Sequence, residues 1–217
     1  MLSFEPFSDA YYSPIASFDI AARIIEIVTG EEFGKWLNDN IFKPLAMKDT
    51  TFTPTAPQWK RVAKMHVYGK EKGLVDPMKN DCVYDGVPAV CHCAGAGLIS
   101  SLADYAGFAL MLLNGGLRGG KRILTERTIN EMATPQPPLA GREIPEYWGL
   151  GARVTSKYNN YLPEGCFGWS GAYGTHFWVD KADKIVAVYM KNSRFDGGSE
   201  ASTARDFETD VMNSFNK

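Results

Sequence analysis

The sequence predicts an α+β fold. Three observations carry this. Helical periodicity and loops fill residues 12–145, a period of two takes over from 146, and one amphipathic helix closes the chain. The 217 residues and 24.0 kDa suit a single domain spanning 1–217. Three or four strands against one or two helices make a thin core for this length, which points to an incomplete sheet.

Taken in order, residues 1–17 carry Pro6 and Pro14 and read as loop. Ser17 is a helix N-cap, Ile20, Ile24, Ile27 and Val28 fall on one face, and Gly30 ends the helix. Glu31 to Ile41 forms a second helix with Phe33, Trp36, Leu37 and Ile41 inward. Residues 53–90 lack sustained periodicity and read as a long irregular surface segment. Ser100 or Ser101 caps a strong helix whose stripe is Tyr105, Phe108, Ala109, Leu112 and Leu113, stopped by Asn114-Gly115-Gly116. Thr125 caps the next, with Thr128, Ile129 and Met132 inside it. Strands are expected over Tyr147–Thr155, Cys166–Gly171, Thr175–Asp180 and Lys184–Met190, the last three as an antiparallel meander. Ala201 to Phe215 is the closing helix, with Phe207, Val211 and Phe215 on one side.

Composition excludes several classes. Lys plus Arg number 23 and Asp plus Glu 25, and no stretch is strongly basic, so no nucleic-acid footprint is expected. No apolar run reaches the roughly 18 residues of a membrane span. Neither a basic n-region nor an apolar h-region follows Met1, so no signal peptide is read and the default location is cytoplasmic. A longer precursor could be exported. Cys91-His92-Cys93 lacks the gap that lets two thiolates turn around one zinc, and the only other cysteines are Cys82 and Cys166. No metal site and no cofactor are expected.

Four stretches, in order, resemble the serine β-lactamase-like hydrolases: class C β-lactamases, D-alanyl-D-alanine carboxypeptidases and esterases of the same fold. The first is Tyr12-Ser13-Pro14 with the helix through Gly30. The second is Ile41-Phe42-Lys43-Pro44-Leu45 with Met47, Asp49, Thr50 and Phe52. The third runs from Gly97-Leu98-Ile99-Ser100-Ser101 through Asp104-Tyr105 to Leu112-Leu113-Asn114-Gly115-Gly116. The fourth is Gly168-Trp169-Ser170-Gly171-Ala172-Tyr173-Gly174-Thr175, then Phe177-Trp178-Val179-Asp180. The resemblance implies the C-terminal two-thirds of a β-lactamase or penicillin-binding-protein-like fold.

The family acylates the serine of a Ser-x-x-Lys motif, with the lysine and a tyrosine managing the proton. A phenol with a pKa near 10 is a poor base until a nearby cation lowers it. The only match to that motif here is Ser214 to Lys217, on the closing helix, which any chain meets often by chance. The resemblance therefore implies that the nucleophile segment is absent from this chain, which alone is expected to be inactive.

By position, Tyr12 corresponds to the general base, with Tyr11 its rival, and Ser13 would line the site. Trp169, Ser170 and Gly171 stand where penicillin-recognising members carry Lys-Thr-Gly, and Ala172 N–H would be one oxyanion donor. The plain alternative is a tight strand bend whose glycines serve the backbone. Trp169 removes the cation that holds a substrate carboxylate, and Pro14 removes an Asn amide. Both departures favour an esterase over a β-lactamase. His66, His92 and His176 have no Gly-x-Ser-x-Gly elbow beside them, and His176 reads as a satisfied sheet residue. The function expected is acyl-serine hydrolysis of a small-molecule ester or amide by the full-length protein. The alternative is a catalytically dead family member with a binding or assembly role. An exposed sheet edge opens a route to self-association: a fragment of the fold is expected to be poorly soluble or oligomeric, a binding protein a stable monomer or a defined dimer.

Overall fold

The computed structural model describes residues 16–64, 66–68, 75–77, 94–137, 139–193 and 201–215. Two compact units divide the chain, one within residues 12–108 and one from Ala109 onward.

In the first unit, α1 (Ala16–Thr29) ends as Gly30 takes φ 70°, and α2 (Phe33–Leu37) runs into a π-helical turn at Asn38–Phe42. The Glu32 carboxylate caps α2 by accepting the N–H groups of Gly34 and Lys35. Phe42, Leu45, Met47 and Phe52 are buried, and Phe33 lies 5.8 Å from Phe52. The apolar face of α1 is the surprise. Ile20, Ile24, Ile27 and Val28 are 61%, 55%, 68% and 78% exposed, and among the described side chains of α1 only Ala22 is buried. A periodic stripe fixes which residues share a face, not whether anything packs on it. The segment expected to be irregular holds a short α3 (Ala56–Trp59) and the antiparallel pair β1 (His66–Tyr68) and β2 (Val75–Pro77). A partly buried polar cluster, centred on buried Thr50, ties this unit together. Asp104 accepts the Asp49 N–H at 2.7 Å and the Thr50 hydroxyl at 2.9 Å, and Thr50 also meets Ser100. Asp104 lies in α4 (Leu102–Leu113), whose last turns bury Ala109, Met111 and Leu112 in the second unit.

The second unit continues with a small hairpin, β3 (Leu117–Arg118) and β4 (Lys121–Arg122). Gly119 and Gly120 supply its two positive-φ turn positions. Next comes α5 (Glu126–Met132), capped by Thr125, with Ile129 fully buried. The expected strand Tyr147–Thr155 is two strands, β5 (Glu146–Trp148) and β6 (Arg153–Thr155). A tight turn separates them, closed by Gly149 N–H to Ala152 carbonyl at 2.8 Å. Then follow β7 (Phe167–Ser170), β8 (Thr175–Asp180) and β9 (Ile185–Met190). The five strands lie side by side in chain order, each pair antiparallel.

The closing helix, α6 (Ser202–Phe215), packs on one face of this sheet. Trp178, Cys166, Ile185, Ala187, Leu162 and Met212 form the core there, with Phe207 and Val211 against it. Phe215, expected on the same side, is exposed, and Ala204, Glu208 and Met212 are the buried positions. Hydrophobicity alone misplaces the stripe because its central member is a carboxylate.

Candidate functional site

The candidate site at Trp169, Ser170, Gly171 and Ala172 falls at the end of β7 and in the turn to β8. The ladder between β7 and β8 runs to the pair Ser170–His176, whereas the ladder to β6 stops at Gly168. The turn is closed twice: Gly171 N–H donates to the Thr175 carbonyl at 2.8 Å, and Gly174 N–H to the Gly171 carbonyl at 3.0 Å. Glycine is required at Gly168, where a Cβ would sit 2.1 Å from the Phe177 carbonyl oxygen. Ala172 is exposed, and none of the described residues accepts its N–H. Trp169 is half-buried, with its ring 5.4 Å from Trp148.

The Ser170 side chain turns the other way, into the sheet face covered by α6. Its Oγ lies 2.7 Å from His176 Nδ1. His176 Nε2 lies 3.1 Å from Glu208 Oε1, an ion-pair distance without hydrogen-bond alignment. Glu208 also receives Arg153, and Arg205 at 3.0 Å. Both arginines reach Glu146 as well, at 2.8 and 2.9 Å. The network takes one residue from each of β5 to β8 and two from α6, and its two arginines balance its two glutamates. Burial works against the Glu208 charge, yet the His176, Arg153 and Arg205 contacts outweigh it and hold the carboxyl below its ordinary range. Sequence reasoning missed Glu208, Arg153 and Arg205. The available signal was a glutamate set among Ala204, Phe207, Val211 and Met212 on the buried side of an amphipathic helix.

Tyr11, Tyr12, Ser13, Pro14, Cys82, Cys91, His92 and Cys93 lie outside the described residues. Among the described residues no cluster of metal-ligating side chains occurs, and no helix is long and apolar enough to cross a membrane. Ser214 on α6 donates its hydroxyl to the Asp210 carbonyl one turn back, an ordinary helical contact. Cys166 is buried, and desolvation together with Asp180 pushes its thiol far up.

Helices followed by an antiparallel sheet, with a Trp-Ser-Gly strand end and a tight turn behind it, define the class the sequence resembles. The chain belongs to the beta-lactamase family: the family model described as Beta-lactamase matches residues 2–208. A "Putative D-alanyl-D-alanine carboxypeptidase" of Escherichia coli O157:H7 is 25% identical over 210 residues, 88% of this chain and 46% of that protein. The structure of EstCE1, a hydrolase with promiscuous acyltransferase activity, aligns with a TM-score of 0.79 at 21% identity, over 95% of this chain and 57% of that one. The octameric penicillin-binding protein homologue from Pyrococcus abyssi aligns at 0.72 and 21% identity, over 97% and 44%. The chain spans about half the length of the curated relatives it matches. The expected α+β, β-lactamase and penicillin-binding-protein-like fold is the one observed.

Proposed function

We propose that this chain supplies the acyl-binding edge of a serine hydrolase that cleaves an ester or amide through an acyl-serine, with esters preferred. One observation carries the reading. The β6 ladder ends at Gly168, and the main chain beyond it leads to an exposed Ala172 N–H that no described residue accepts. A donor already fixed by its turn, and not spent on any described residue, is what an oxyanion requires. The Ser170 hydroxyl is committed to His176 and the Gly171 N–H to Thr175, so Ser170 would meet an acyl group through main-chain atoms, with Gly171 shaping the bend beside it. Trp169 offers an apolar ring where a carboxylate-binding member would offer a cation, which favours an uncharged acyl chain. Tyr12 would take the serine's proton and return it to the leaving group, with Ser13 beside it. The step needs no cofactor.

The test has two stages. The 217-residue chain is treated with a fluorophosphonate and weighed intact. We expect no adduct, because its one Ser-x-x-Lys match is a helix-bonded serine. A stoichiometric adduct on any serine overturns that assignment. The mass of the native product in its source cell is then compared with 24.0 kDa. For a product larger by roughly ten kDa or more, we expect hydrolysis of p-nitrophenyl butyrate and a loss of about 10²–10⁴-fold in kcat for Tyr12→Phe. An unchanged kcat refutes the role of Tyr12.

A product of 24.0 kDa that hydrolyses nothing favours the second reading, a binding or assembly protein. The edge strand β9, paired only with β8 among the described residues, is where copies would associate. Light scattering decides this, and a monomer at high concentration refutes it.

A further inference from the structure

We propose that His176 is a positioning residue: its bond to Ser170 clamps the base of the β7–β8 turn and so fixes where the Ala172 N–H points. The inference rests on reading that turn as the acyl-binding edge. Ser170 and His176 form the last cross-strand pair before the turn. Their side chains close a second link across that pair, 2.7 Å long. The next residues inward on either strand, Gly171 and Thr175, share the first backbone bond of the turn. The clamp therefore acts one residue from the turn's own hydrogen bond and two from Ala172.

The ring is held from behind. Phe207 on α6 meets it edge-on at 6.3 Å, and Glu208 faces Nε2. Glu208 is in turn fixed by Arg153 and Arg205, and these two by Glu146. Glu208, a carboxylate that can only accept, faces Nε2; in the neutral tautomer that carries its proton on Nε2, Nδ1 accepts the Ser170 O–H. Ser170, His176 and Glu208 are all buried, so the trio is closed to substrate and is not a nucleophile relay. An apolar pair would fill the same space. A hydrogen-bonded pair also fixes rotamer and register, and it stands at the pair where the sheet becomes the turn.

The experiment is amide hydrogen exchange, read by NMR on the 217-residue chain, in Ser170→Ala, His176→Phe, the double variant and His176→Asn. An asparagine amide can occupy the place of Nδ1, so it keeps an acceptor for Ser170 and gives up the contact with Glu208. The expected result is about tenfold faster exchange at Gly171 and Gly174 in each single variant that breaks the clamp, with no further gain in the double. His176→Asn should stay near wild type there, and the β5–β6 ladder should not change. Uniform acceleration across the sheet, or an unmoved turn in Ser170→Ala, overturns the proposal. If His176→Phe does not fold, Ser170→Ala and His176→Asn decide alone. The native product's esterase kinetics are read in parallel. A fall in kcat at constant KM in Ser170→Ala accompanies a working clamp. Wild-type protein without esterase activity refutes the functional reading, while the exchange data still judge the clamp.

Discussion

Glu208→Gln is the most informative single change in the sheet unit. Glutamine keeps the shape and one acceptor but removes the charge. Arg153 and Arg205 would then share Glu146 alone, two cations against one carboxylate. The Arg205 side chain is 14% exposed and can recover some hydration, whereas Arg153 at 3% cannot. Breaking a buried pair by removing one partner costs about 3–5 kcal/mol. The retained acceptor and the exposure of Arg205 place Glu208→Gln near the bottom of that range, about 3 kcal/mol. Glu208→Ala adds a cavity and belongs near the top.

The assay is urea unfolding at pH 7 followed by far-ultraviolet circular dichroism. Acid provides an independent check. The folded carboxyl sits below its ordinary value of 4.5, so the unfolded chain takes up a proton first as pH falls. The stabilisation is therefore complete above about pH 4.5 and is lost as pH drops through the folded value. The gap between wild type and Glu208→Gln should shrink from pH 7 to pH 3.5. A gap under about 1 kcal/mol at pH 7, or one that does not change with pH, would refute the account of the network.

Three other outcomes follow from the packing. Gly168→Ala places a methyl 2.1 Å from the Phe177 carbonyl oxygen, and main chain must move; about 3 kcal/mol of loss is expected in the same urea assay. Ile27→Gln, on the exposed face of α1, should change stability by no more than about 0.5 kcal/mol, and a loss above 2 would mean that the face is covered. Cys166 should escape iodoacetamide in the native chain and react after unfolding, read by peptide mass spectrometry, because burial and Asp180 hold it as an inert thiol.

Much of the fold was legible because it is written in local rules. The Gly30 stop of α1, the Thr125 cap and the meander from β7 to β9 each follow from a stop, a cap or an alternation, whereas Ser17, read as the N-cap of α1, lies inside a helix that already includes Ala16. The split of β5 from β6 was not, since a run of strand formers conceals the turn unless Gly149 and Gly151 are weighed as breakers. The hairpin at Gly119-Gly120 was missed for the opposite reason: the turn signal is plain, but two-residue strands show no alternation. The β7 edge was found by its motif, and the structure adds what no motif states, that the Ser170 hydroxyl belongs to the interior.

That last point separates two roles a single strand can serve. Alternation sends Trp169 to one face and Ser170 to the other, and the cross-strand pairs keep this division across the sheet. The face that carries Ser170 and His176 is closed by α6 and holds balanced charge, so it is suited to rigidity and not to chemistry. The main chain between the faces ends in an exposed donor. If that donor serves an oxyanion, as proposed, the site takes its precision from side chains that never meet substrate. His176→Phe, which breaks the buried clamp, should therefore perturb the Ala172 N–H more than substitutions at exposed Thr175 beside it. The Gly171 exchange rate is the direct measure of that ordering, and the reverse order would locate the turn's rigidity in its own hydrogen bonds alone.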